Sequence, residues 1–155
     1  MHKILFVLLG AVISLGGYSQ DATAQRKKQL NANDGIAIKG YDPVAYFTEH
    51  KAIKGNKDQA MVYEGITWYF SSAANREAFK KAPARYEPQY GGWCAYAMGK
   101  NGTKVEVDPE TFKIIDGKLF LFYNQFFNNT LKSWNKDEAN LHQQADHNWT
   151  QNYKL

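Results

Sequence analysis

Cys94 is the only cysteine in the chain, and it stands in the stretch YGGWCAYAM (90–98), between a double glycine and Met98. A thiolate is both a soft metal ligand and a nucleophile. If the glycines end a loop and WCAYAM opens a helix, Cys94 lies in the first turn. Free N–H groups and the positive end of the helix dipole favour S⁻ there. The competing reading is a buried, inert cysteine packed as a small hydrophobe. Met98 extends the first reading toward metals. A spacing of four puts both side chains on one face of a helix or a strand. The rise is about 6 Å in a helix and about 13 Å in a strand, so only a helix lets both sulfurs reach one ion. A thiolate with a thioether is a soft pair that selects Cu(I), ahead of Zn²⁺. Against this, methionine commonly just fills core space.

A second cluster, Tyr41 and Asp42, precedes Pro43 in GYDPVAYF (40–47). Asp42 fits a helix N-cap with proline at the first helical position. The functional alternative gathers Tyr41, Asp42 and Cys94 around one pocket, with Tyr90 and Trp93 as further ligand-binding candidates beside the cysteine. The histidines offer less. His142 and His147 are five apart, roughly 140° around a helix, and cannot chelate together. His142 shares a face with Asp146, and His50 neighbours Lys51 and Lys54. No catalytic signature surrounds Cys94, and no Gly-rich phosphate loop or HExxH motif occurs. No catalytic residue is therefore assigned.

The 155 residues carry a net charge of +4. The N-terminus reads as a secretory signal: Lys3, an apolar run at 4–17, and Ala22-x-Ala24 as the cleavage site. The run falls short of the roughly 18 apolar residues that span a bilayer. The expectation is a signal peptide at 1–24, a flexible leader at 25–34 and one domain at 35–153, in a periplasmic or secreted protein with no stable membrane anchor after cleavage. Cleavage would remove Lys3 and Asp21, leaving the net charge unchanged. The charges are scattered, so a nucleic-acid partner is not expected. One cysteine gives no internal disulfide, so the fold must rest on its core.

The elements that position these residues follow from periodicity. MVYEGITWYF (61–70) predicts a hairpin turning at Glu64-Gly65, with Ile66, Trp68 and Phe70 on one face. SSAANREAFKKA (71–82) switches to helical period behind a serine cap, and Pro83 ends it. FKII and KLFLFY flank Asp116-Gly117, a favoured type I′ turn. Phe127, Leu131 and Trp134 predict a helix behind an Asn124 cap. Asn135 with Glu138 opens a second helix carrying Leu141, Ala145 and Trp149. The fold class is α+β: a small single domain with two β-hairpins, short helices, two C-terminal helices and no parallel sheet.

In this order, GYDPVAYF, YEGITWYFSSAANREAF, YGGWCAYAM and VDPETFKIIDGKLFLFYN resemble the YHS-domain family, and WNKDEANLHQQADHNW resembles the helical tail of its exported bacterial members. The likeness spans about residues 35–150. It implies a YHS-like scaffold and relatives that handle heavy metals, copper among them, through cysteines. In those relatives DPVCGM stands where this chain has DPVAYF, and FCSxxC where it has FSSAAN. The family's ligand cysteines therefore fall on Ala45, Ser71 and Asn75. With those thiols missing, the expected function is a binding domain taking a soft metal or a small ligand near Cys94. The alternatives are a thiol-redox protein using Cys94, and a structural or partner-binding domain.

Overall fold

The computed structural model describes residues 16–153, and the chain enters it through helix α1 (Gly16–Gln29). The apolar run at 4–17 lies almost wholly outside the described residues, and a cut after Ala24 falls within α1. The leader expected to be flexible at 25–34 is packed instead. Arg26 pairs with Glu64 at 2.9 Å and with Glu87 at 2.5 Å, and Leu30 and Asn31 are buried. Strand β1 (Ala32–Asn33) then pairs antiparallel with β2 (Ile36–Ala37). The segment is polar and lacks periodicity because its contacts are ion pairs and single side chains reaching distant elements, which leave no local repeat.

After a 3-10 turn at Ile38–Gly40, the short helix α2 (Ala45–Thr48) follows Asp42 as expected. The first predicted hairpin forms from β3 (Asn56–Tyr63) and β4 (Ile66–Phe70). Glu64 and Gly65 both have positive φ, 46° and 80°, the backbone a type I′ turn requires. Ile66, Trp68 and Phe70 are all buried on one face. The sheet order is β1-β2-β4-β3. It includes one single-pair parallel contact, Ile36 with Thr67, within an α+β fold of the expected class.

Helix α3 (Ala73–Lys81) is capped by Ser72, whose hydroxyl accepts the Asn75 N–H, and Pro83 opens the one-turn α4 (Pro83–Tyr86). Phe79 drives α3 onto the sheet, its ring 4.9 Å from Trp68 and 5.3 Å from Phe70. Helix α5 (Ala95–Asn101) begins directly after Cys94 and ends at Gly102. Gly102, at φ 71°, donates its N–H back to the Met98 carbonyl. The second predicted hairpin, β5 (Asp108–Ile115) with β6 (Lys118–Phe122), turns at Asp116-Gly117 as expected.

The C-terminal third departs from expectation at its start. Asn124 opens no helix. It begins a further minimal hairpin, β7 (Asn124–Gln125) with β8 (Asn128–Asn129), and Phe126 and Phe127 form its tip. Helix α6 (Thr130–Trp134) starts later, behind Asn129, whose side chain accepts the Leu131 N–H. Phe127 thus belongs to a turn, and only Leu131 and Trp134 of the expected stripe are helical. Asn135 caps the C-terminus of α6, and Asp137 is the N-cap of α7 (Glu138–Asn152). The stripe on α7 is as expected: Leu141 and Ala145 are buried and Trp149 is half-buried. The Lys113 ammonium, 2.5 Å from Glu138, ties α7 to β5 and holds the Glu138 carboxyl below its ordinary range.

Helices α5 and α7 meet where Gly99 has no side chain. A Cβ on Gly99 would lie 2.4 Å from the Leu141 carbonyl oxygen, a backbone atom that cannot swing away. Gly99→Ala is expected to separate the two helices at a cost of about 1–3 kcal/mol, read as a lower thermal midpoint. An unchanged midpoint would mean that this close approach does not exist.

Candidate functional site

Asp42 is fully buried, and its carboxylate accepts five hydrogen bonds. Oδ1 takes the backbone N–H groups of Val44 (2.8 Å) and Ala45 (3.4 Å), which completes the expected cap. Oδ2 takes the Ser71 N–H, the Ser71 hydroxyl and the Asn75 amide, each at 2.7 Å. The residue thus joins the start of α2 to the end of β4 and the first turn of α3. A carboxylate offers about four lone-pair sites, so these donors leave none free. Ala45, Ser71 and Asn75, where the resemblance places thiols, are the residues brought together here, around an oxygen anion.

Cys94 lies at the N-terminus of α5 and has no exposed surface. Its sulfur accepts the Tyr123 N–H at 3.3 Å and lies 3.4 Å from Thr130 Oγ1. The Thr130 hydroxyl donates to the Tyr123 carbonyl at 2.8 Å. A hydroxyl has one proton, so the Thr130 oxygen is left to accept from the thiol. The result is a closed ring of three hydrogen bonds in which Cys94 donates to Thr130 and accepts from Tyr123. It fastens α5 to the β6–β7 junction and to α6.

The expected helix is present at Cys94 and Met98: the Met98 N–H donates to the Cys94 carbonyl at 3.0 Å. The two side chains nevertheless part. Cys94 packs with Val44, Leu119 and Leu121. Met98 packs with Phe120, Phe122 and Trp134 and is also fully buried. Cys94 is the N-cap, with φ −58° and ψ 116°, so its side chain does not follow the helical direction that Met98 follows.

The remaining candidates are dispersed. The Tyr41 hydroxyl donates to Glu110 at 3.1 Å, and the Lys54 ammonium lies 4.9 Å from its ring centre. Burial, then the bond to Glu110 and its charge, raise the Tyr41 phenol. Tyr90 is buried and donates to Asp146 at 2.8 Å. Burial first, then that carboxylate, push its phenol well above the ordinary range. Trp93 donates its indole N–H to the Gln29 carbonyl at 2.6 Å, fixing the end of α1. Each of these side chains is engaged with a different part of the fold. His142 stacks edge-on to Phe120 at 5.0 Å, with Asp146 at 3.8 Å.

A cleft of about 280 Å³ opens beside Cys94. Tyr96, Ala97, Val105 and Tyr123 form its apolar wall, Cys94 and Thr130 stand behind, and Lys100 and Asn128 are exposed at its edge. Sequence reasoning missed Tyr123, Thr130, Val105 and Ala97. They come from four separate elements or loops, and no spacing links them to Cys94.

The donor set does not fit a soft metal centre. Among the described residues, no group of three or more His, Cys, Asp or Glu side chains could hold an ion. The family's three thiol positions surround a carboxylate with no free lone pair, and Cys94 and Met98 face different cores.

Hairpins, helices and buried carboxylate together define a small α+β domain whose short helix α2 is pinned to its sheet through one carboxylate. The family model of the YHS domain matches residues 44–90 of the chain. That stretch contains Ala45, Ser71 and Asn75 but ends before Cys94. No match to the chain was found among curated proteins or among solved structures.

Asp42→Ala leaves five donors without their acceptor and is expected to cost roughly 3 kcal/mol or more. Ser71→Ala removes one hydroxyl donor and is expected to cost about 1 kcal/mol. Urea denaturation measures both. Equal, small effects would show that the carboxylate does not organise this corner.

Proposed function

We propose that this chain is an exported YHS-like binding domain whose ligand is a small, mainly apolar molecule with an anionic end, taken into the cleft beside Cys94. The observation that carries the reading is the cleft itself. It has two tyrosine rings, Val105 and Ala97 in its wall and a lysine ammonium at its edge. Its volume suits one ring with a few further atoms, since about 150 Å³ already accommodates benzene. Lys100 provides the charge that would orient a carboxylate. Export rests on the N-terminal signal pattern. Cleavage after Ala24 leaves the contacts of Arg26, Gln29, Leu30 and Asn31 in the mature chain.

In this reading Cys94 is part of the wall's support. A thiol-redox role needs an accessible sulfur, and Cys94 is fully buried. Iodoacetamide is expected to modify Cys94 only as the protein unfolds, and Cu(I) is expected to bind wild type and Cys94→Ser with equal, weak affinity. Rapid alkylation of the folded protein, or a large loss of copper affinity in Cys94→Ser, would return the redox or metal reading to first place.

The ligand reading is tested with benzoate as the probe, followed by amide chemical shifts. Shifts are expected at Ala97, Val105 and Tyr123, and Ala97→Trp, which fills the cleft, is expected to abolish them. Shifts that are absent, or that persist in Ala97→Trp, contradict it.

A further inference from the structure

The β7–β8 hairpin breaks the chemistry that its geometry calls for. Gln125 pairs with Asn128, so the loop has two residues, and both have positive φ: Phe126 at 50° and Phe127 at 62°. This is the type I′ signature, which strongly favours Asn-Gly because bulky side chains are strained in the left-handed region. The other three hairpins, β1–β2 included, obey that preference in part, with glycine at the second position: Gly35, Gly65 and Gly117. Here two phenylalanines occupy the turn, and their rings leave the fold entirely. Phe126 is 87 % exposed and Phe127 fully so; the other exposed large hydrophobic among the described residues is Val62. Strained backbone that presents apolar rings to water serves nothing inside the domain.

The surroundings indicate what the rings meet. Below the tip the hairpin carries only uncharged amides: Asn124, Gln125, Asn128 and Asn129. The Asp108 carboxylate near its base is engaged by the Thr111 hydroxyl and the Glu110 N–H, with Asn124 at 3.5 Å. From 117 to 136 the chain has no Asp or Glu. Lys132 on α6 and Lys136 just beyond it are exposed, and Lys100 shares the neighbouring cleft with Asn128. Along the chain the order is aromatic tip, neutral amide collar, then cations. It matches the layering of an anionic membrane surface, where rings enter the acyl boundary and ammonium groups stay with the phosphates. The tip is also convex and only two residues wide, a shape that penetrates lipid without needing a matching groove.

We propose that Phe126 and Phe127 form a membrane-docking tip that inserts reversibly into the interface of an anionic lipid bilayer. This goes beyond the cleft's ligand and does not depend on it. No described helix is long and apolar enough to cross a membrane, so the contact is peripheral.

The test compares wild type with F126N/F127G, which installs the pair favoured by a type I′ turn. Both proteins carry the same N-terminus, so residues 4–17 contribute equally. Flotation with vesicles of equal parts phosphatidylglycerol and phosphatidylcholine is expected to show binding for wild type. Losing both rings should lower affinity at least about tenfold, with a thermal midpoint unchanged or raised. Lys132→Glu should weaken binding about fivefold, and only to the anionic vesicles. F126W should show blue-shifted emission with vesicles and quenching by brominated acyl chains, which reads the tip directly. Absent binding by wild type, or equal binding by F126N/F127G, overturns the proposal. Concentration-dependent self-association that F126N/F127G abolishes, without vesicle binding, also overturns it and assigns the tip to a second copy of the chain.

Discussion

The buried carboxylate of Asp42 is the constraint around which the rest of the domain is arranged. Taking an anion out of water is costly unless polar partners replace its hydration. Here every partner is a neutral donor, supplied by α2, by the end of β4 and by α3. Each donor is therefore committed to a position, and so is the element that carries it. Once α2 and α3 are fixed together at the open end of the β3–β4 hairpin, Phe79 meets Trp68 and Phe70. The first hydrophobic cluster closes around them.

The same carboxylate stands at the centre around which the resemblance places thiols. A metal ion bound by cysteines and a carboxylate bound by N–H and O–H donors both tie distant segments to one centre. Their polarity is reversed: a cation gathers electron pairs, whereas Asp42 gathers protons. Ser71 and Asn75 supply donors where thiols would supply electron pairs, and Ala45 supplies its backbone N–H. Cys94 stands apart from this centre, outside the matched stretch, and closes a second and smaller ring with Tyr123 and Thr130.

The parts of the fold that were legible in the sequence are those set by neighbouring residues. Glu64-Gly65 and Asp116-Gly117 announce their turns, Ser72 its cap, and Leu141, Ala145 and Trp149 their helical face. Asp42 was readable as a cap through Oδ1, because Val44 and Ala45 follow it directly. Its second oxygen was not, because Ser71 and Asn75 lie 29 and 33 residues away. The four-residue spacing of Cys94 and Met98 gave the right helix, while the two side chains belong to different hydrophobic clusters, since an N-cap side chain does not share the helical direction. The β7–β8 hairpin was missed because Phe126-Phe127 is the opposite of turn chemistry, and Phe127 happened to fall in register with Leu131 and Trp134. The packing of 25–34 was missed because Arg26 and Trp93 make it through long-range polar contacts.

Native-state hydrogen exchange of the Ser71 amide tests the central claim most directly. Ser71 is exposed to solvent, yet its N–H is bonded to the buried Asp42 carboxylate. If that carboxylate organises the domain, the Ser71 amide is released only with global unfolding and exchanges in the slowest class, alongside the core strands. Exchange at the rate of an unprotected surface amide would contradict the account.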